Sequence, residues 1–212
     1  MSRLIIVGAG DFGRELFGWI ELDSNMNKFE NIFFIDDNDE VLNPYPYFKQ
    51  NYLGTLENFE KKHDDIYLLG VSDPSSKLQI INLLKKHNIT LSTYISEFAL
   101  VSKNTIIGPG TIICPFVTVS IGAKLGNYVT LNRNSSVAHD TRIGDFCSIM
   151  GFSEIMGWGV VDSLVYVGSH VSVLPKVKIQ EGAKIGAGSV VIADVNSGTT
   201  VFGNPAKEIR RN

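Results

Sequence analysis

The chain has 212 residues, 44% of them apolar and 19% charged, with a formal net charge of -3. That mixture is enough for one large core or two small ones. Without a Lys/Arg-rich run it gives no electrostatic claim on nucleic acid or an anionic membrane surface. No apolar run approaches the roughly 18 residues of a membrane span. Met1-Ser2-Arg3 leads directly into an apolar strand, so a cytoplasmic protein is expected. Cys114 and Cys147 show no CxxC spacing, which suggests neither a disulfide framework nor a structural zinc site.

In chain order, Leu4-Ile5-Ile6-Val7 predicts a strand that runs into glycines, and residues 14–22 are amphipathic at helical spacing. Ile32-Phe33-Phe34-Ile35 ends in Asp36-Asp37, and Ile66-Tyr67-Leu68-Leu69 follows. Residues 75–87 read as a helix behind the start signals Ser72, Asp73 and Pro74, with a further strand expected after it. The alternation predicts a parallel α/β sheet of about four strands, a Rossmann-like half domain over residues 1–97.

Gly8, Gly10 and Gly13 match G-x-G-x-x-G between the first strand and helix, where a phosphate can approach the backbone and the positive end of the helix dipole. Asp36 and Asp37 lie where an acidic residue binds a ribose or base edge. Half a dinucleotide fold favours a nucleotide-sugar over NAD. The plainer alternative is that these glycines serve only a tight turn and helix packing.

Over residues 98–212 the rhythm changes. Every sixth residue from Val101 to Val191 is Ile, Leu or Val, sixteen in succession. An ordinary run of strands would give period two, whereas a period of six is the hexapeptide signature of a parallel β-helix. The residue two before each anchor is mostly small or β-branched (Ala99, Thr105, Thr111, Val117), as a crowded inward position demands. Gly108, Gly126, Gly144, Gly168 and Gly186 follow their anchors, where a chain turning a corner is expected to need glycine. With three hexads per coil the prism has about five coils and stands roughly 25 Å tall.

Residues 18 apart then stack. His139 sits over Ile121 and under Gly157, two places past its anchor Val137, and is expected to point outward. A solvated surface histidine is the plain alternative. Asp140 can orient the imidazole, Asn132 lies one hexad earlier, and Gly157 offers space and a bare N–H. One base and one N–H donor are what direct acyl transfer from a thioester requires. Neither Cys147 nor any serine sits in a nucleophile motif, so no covalent enzyme intermediate is expected.

The segments "LIIVGAGDFGRE", "FFIDDN", "LNRNSSVAHDTRIGDF", "VSVLPKVKIQEGAKIGAGSVV" and "VFGNPAKEI" together resemble the bacterial sugar acyltransferases. That family includes sialic-acid O-acetyltransferases and N-acetyltransferases of nucleotide-linked 4-amino-sugars. The resemblance implies a left-handed β-helix homotrimer with acetyl-CoA between neighbouring prisms. It makes His139 the base, Asp140 its acidic neighbour and the Gly157 amide the donor to the thioester carbonyl, with Asn132 nearby. CoA would run along Gly157, Ser169 and Ala187 toward Lys207, and Gly8, Gly10, Asp36 and Asp37 would hold the acceptor's nucleotide; no metal is implied. The chain departs from many relatives at Phe12 and Ser148, where they carry histidines. His170 has no assignable counterpart, and Trp158 beside Gly157 could shape a pocket or simply pack.

The expected activity is acetyl-CoA-dependent acetylation of the amine of a UDP- or dTDP-linked 4-amino-sugar, for bacterial surface glycans. Acetylation of a sugar hydroxyl is the alternative. An NAD enzyme, a silent binding solenoid and a zinc enzyme of carbonic-anhydrase type rank lower, the last because only His139 and His170 fall in the repeat.

Overall fold

The computed structural model describes residues 2–27, 29 and 31–209. The front unit contains β1 (Leu4–Val7), α1 (Asp11–Leu22), β2 (Ile32–Ile35), α2 (Pro46–Lys49), β3 (Ile66–Leu69) and α3 (Pro74–Lys86). Its sheet has three parallel strands in the order β2-β1-β3, with Leu4 opposite both Ile32 and Ile66. The expected fourth strand is reduced to a single bridge, Tyr67 to Leu91, because the chain leaves at Tyr94 to start the solenoid. Helix α3 begins as its sequence predicts: Asp73 caps the N-terminus by accepting from Ser76 N (2.8 Å), with Pro74 in the first turn.

From Tyr94 to Val191 the chain is a parallel β-solenoid of two-residue rungs. The register is 18 residues, as in Ser136 opposite Glu154 and Val137 opposite Ile155. Rungs beginning at Tyr94, Ile112, Thr130, Ser148, Tyr166 and Lys184 form the first face. Those from Leu100 to Val190 form the second, and those from Ile106 to Lys178 the third. The hexad anchors fill the interior, with Leu131, Val137, Ile149 and Val173 at 0% exposure. Thr141 and Ser153 sit at the small inward positions and donate to backbone carbonyls 15 residues on, Met156 O (3.2 Å) and Gly168 O (2.7 Å). The polar groups of this narrow core are thereby paired internally.

The corner glycines have another cause than the one expected. Positive φ falls on the third residue after each anchor from Ile107 to Ile185, including Phe116 (61°), Asp140 (57°) and Trp158 (62°). Gly108, Gly126 and Gly144 do not adopt it. A Cβ on Gly108 would lie 2.5 Å from the backbone of Gly126, and one on Gly144 would lie 2.6 Å from Ser163 N. Close stacking of coils, not turning, selects glycine there.

The front unit rests on the first face. Tyr94, Ile112, Thr130 and Ser148 project outward from that face, yet all are at most 2% exposed. Helix α1 packs there through Phe12 and Leu16, in one apolar cluster with Tyr94 and Ile112. The buried Asp23 accepts from Tyr94 Oη (2.9 Å) and Glu97 N (3.1 Å), tying the end of α1 to the first coil. Among the described residues, no helix is long and apolar enough to cross a membrane.

Candidate active site

His139 and Asp140 occupy the corner between the second and third faces. His139 Nδ1 lies 3.0 Å from Asp140 Oδ2, with side chains 53% and 40% exposed. A carboxylate only accepts, so Nδ1 carries a proton, and in the neutral ring the lone pair is on Nε2. The ring lies over Gly157 one coil on, where a Cβ would stand 2.6 Å from Nε2. No described residue accepts from the Gly157 N–H, although its neighbours are bonded: Trp158 N donates to His139 O (3.1 Å) and Met156 N to Val173 O (3.0 Å). This corner therefore offers a lone pair and a free N–H side by side.

Asn132 is not beside them. It stands at the preceding corner, between the first and second faces, 5% exposed, with Oδ1 accepting from Arg133 N (2.6 Å). Ser169 and Ala187 lie on that same corner, one coil apart, and the C-terminal hairpin crosses just beyond them, Ala206 N donating to Val190 O (2.8 Å). Lys207 is exposed on that hairpin, on the Lys207–Glu208 strand. Thus Gly157 on one side and Ser169, Ala187 and Lys207 on the other occupy different corners of one subunit.

Gly8 and the two aspartates sit in the front unit, around a cavity of about 190 Å³ at the C-terminal ends of β1–β3. Its walls are mostly apolar, among them Leu56, Val71, Ile80 and Leu83. Asp36 is committed to the chain on both oxygens, accepting from Ala9 N (2.7 Å) and Asn38 N (2.9 Å). Asp37 accepts from Leu56 N (3.2 Å) through Oδ1. Gly13 is demanded by packing, since a Cβ would stand 2.0 Å from Gly8 O, whereas one on Gly10 would meet nothing within 4 Å. The motif is part packing and part open loop.

The two departures have structural roles. Phe12 is 7% exposed and meets Trp19 edge-on at 6.3 Å, inside the interface with the solenoid. Ser148 is fully buried and donates to Ser72 O (2.5 Å), locking the loop before α3 onto the first face. Both cysteines are buried, and burial raises their thiols, Cys147 to about 12. Neither is a thiolate available for covalent chemistry. Among the described residues no cluster of His, Cys, Asp or Glu could hold a metal.

Sequence reading passed over two cations. Arg14 donates to Ala9 O (3.2 Å) and stacks on Tyr45 at 3.8 Å, next to the glycine loop. Lys77 is wholly buried between α3 and the solenoid and donates to Tyr128 O (3.1 Å) and Cys147 O (3.0 Å). Helical spacing was the available signal, since Lys77 lies on the buried side of α3 with Ile81 and Leu84.

A small α/β unit mounted on a triangular β-helix of hexapeptide repeats is the architecture of a class of sugar acetyltransferases. Residues 3–84 match the PglD N-terminal domain family. The chain is 30% identical, over all of its length and 98% of the relative's, to the GDP-perosamine N-acetyltransferase of Escherichia coli O157:H7. In three dimensions it resembles the acetyltransferase domain of PglB from Neisseria gonorrhoeae FA1090 in complex with acetyl coenzyme A (25% identity, TM-score 0.85, 98% of each chain). It is also similar to WeeI from Acinetobacter baumannii AYE (26% identity, TM-score 0.86, covering 99% of this chain and all of the other). The chain belongs to the hexapeptide-repeat sugar acetyltransferases, with the left-handed β-helix of that family.

Proposed function

We propose that the chain transfers the acetyl group of acetyl-CoA to the amine of a nucleotide-linked 4-amino-sugar. The observation that carries this is the corner at His139: Nδ1 held by Asp140, Nε2 lying over Gly157, and the unpaired Gly157 N–H beside it. His139 Nε2 removes a proton from the acceptor amine as its nitrogen attacks the thioester carbonyl carbon. The Gly157 N–H donates to the oxyanion that forms. When the intermediate collapses, the C–S bond breaks and the thiolate of CoA leaves with the proton returned from His139. The amide is formed without an enzyme-bound acyl group.

The nucleotide end belongs to the cavity beside Gly8 and Gly10, where apolar walls suit a base and Asp37, with Asp36 bracing the loop, faces its edge. That cavity sits over the first face, while His139 is at the opposite corner. Acceptor and base therefore meet only if the front unit of one subunit serves the histidine of another. A homotrimer also brings the Ser169, Ala187 and Lys207 side of one prism against the Gly157 side of its neighbour, forming one groove for CoA, with Asn132 contributed from the same side. Exposed Leu100 (71%), Phe116 (62%) and Ile121 (61%) supply an apolar surface for that contact.

A thiol-release assay with acetyl-CoA tests the reading on UDP-, dTDP- and GDP-linked 4-amino-sugars and free sialic acid. GDP is included because the Escherichia coli relative is named for a GDP-linked sugar. Turnover confined to amino-sugars supports it. Turnover with sialic acid alone would replace it with hydroxyl acetylation.

A further inference from the structure

The triplet Lys-Lys-His occurs twice in the chain, at residues 61–63 before β3 and at residues 85–87 at the end of α3. Neither is a basic run by itself, and only the fold adds them together. Lys61 Nζ donates to His87 O (3.1 Å), and Lys61, Lys62, Lys85 and Lys86 are all exposed. Asp65 is buried under Arg3, which donates to its two oxygens at 2.8 and 2.7 Å. The adjoining exposed acids are Glu60 and Asp64, the latter held by His63 (2.8 Å). Four lysines outnumber them, so this end is positive on a chain whose net charge is -3.

The same end is where the prism begins. Asp23, closing α1, is bonded to Tyr94 and Glu97 of the first coil, and Tyr67 bridges Leu91 just before that coil. The nucleotide cavity lies at the other end of the same strands. Aliphatic side chains gather beside the lysines: Leu22, the last residue of α1, is 73% exposed, and Ile95 and Ile106 of the first coil are 39% and 58% exposed. None of the three is among the residues assigned above to the contact between subunits. Positive charge alone attracts any polyanion. Charge with aliphatic groups beside it suits a bilayer, where ammonium groups meet lipid phosphates and the aliphatic groups leave water at the headgroup boundary. A nucleic acid backbone offers phosphates without that apolar layer.

We propose that this end of the molecule docks on an anionic lipid bilayer, with Lys61, Lys62, Lys85 and Lys86 on the headgroup phosphates and Leu22 and Ile106 at the acyl boundary. The cavity beside Gly8 then stays turned away from the bilayer. Cyclic symmetry would set three such ends on one side, so that weak single contacts add; that gain alone rests on the homotrimer proposed above. The docking itself does not depend on which sugar is acetylated.

The test is co-sedimentation of the full chain with vesicles of phosphatidylcholine and phosphatidylglycerol, mixed about two to one, against vesicles of phosphatidylcholine alone. Wild type should bind the anionic vesicles selectively and about tenfold or more weakly when salt is raised to about 0.5 M. Lys61→Gln/Lys62→Gln/Lys85→Gln/Lys86→Gln should lose about a hundredfold in affinity, and Leu22→Ser/Ile106→Ser about tenfold. Lys178→Gln/Lys184→Gln, which removes charge from the far end of the prism, should stay within about threefold of wild type. All these side chains are exposed, and circular dichroism checks that each variant folds. Equal binding to both kinds of vesicle, no binding, or a quadruple variant that binds like wild type overturns the inference. So does vesicle binding untouched by Leu22→Ser/Ile106→Ser, or retention on heparin without vesicle binding, either of which assigns the cluster to a polyanion other than lipid.

Discussion

Lys77 Nζ, on α3 of the front unit, donates to the carbonyl oxygen of Cys147 in the solenoid at 3.0 Å, with a second bond to Tyr128 O at 3.1 Å. Two acceptors match the two N–H bonds of a neutral amine and leave an ammonium short of one. Burial pushes this lysine from 10.5 to about 7. The unfolded chain then binds the extra proton between about pH 7 and 10.5, so this group makes stability rise with pH across that window. Lys77→Met, which keeps the length but cannot titrate, should be as stable as wild type or more so near pH 7. It should lose ground as pH rises, by on the order of 1 kcal/mol per unit. Thermal melts of both proteins from pH 6.5 to 10 check this; parallel curves would show that the lysine is not buried as described.

Gly157→Ala places a Cβ 2.6 Å from His139 Nε2 and 2.7 Å from Cε1. The clash is with the end of a side chain that can rotate, and Gly157 is not among the glycines with positive φ, so the fold should survive. The base, however, moves. Turnover should fall by about a hundredfold while the melting temperature changes little. An unchanged rate would mean that the imidazole does not work from this position.

Gly10 and Gly13 separate the two meanings of the glycine motif. A Cβ at Gly13 meets the Gly8 carbonyl oxygen at 2.0 Å, so Gly13→Ala should cost about 3 kcal/mol or more of stability. At Gly10 nothing lies within 4 Å, and Gly10→Ala should cost less than about 1 kcal/mol. If the open side of this loop receives a phosphate, Gly10→Ala weakens nucleotide-sugar binding, measured by calorimetry, with the melt nearly intact. Unchanged affinity would assign the motif to packing.

Most of the fold was legible because a hexad repeat is a local rule. Each anchor from Val101 to Val191 was readable by itself, and the 18-residue register follows by counting. The missing fourth strand was less accessible, since whether the stretch near Leu91 extends the sheet or leaves for the solenoid is settled by pairing with distant Tyr67 and Ile112. Gly108, Gly126 and Gly144 were visible as a column, but their cause is contact between coils and not the φ of one residue. The separation of Asn132 from His139 was available in the phase: hexads counted in threes put them at different corners, although they are only seven residues apart. That Ser148 and Phe12 fasten the front unit down could not be read from a chain whose two units were considered apart.

A site divided between subunits predicts complementation. Asp37→Ala and His139→Ala should each be inactive alone. Mixed after dissociation and reassembly, they should regain about a quarter of wild-type turnover, the random fraction of interfaces pairing an intact cavity with an intact histidine. Mixtures no more active than their parents would place both halves in one subunit.

The most direct measurement is the turnover of His139→Ala against wild type with acetyl-CoA and the best nucleotide-linked amino-sugar, at saturating concentrations of both. The account predicts a loss of about a hundredfold or more in kcat with KM for acetyl-CoA little changed. A variant that turns over at the wild-type rate would contradict it.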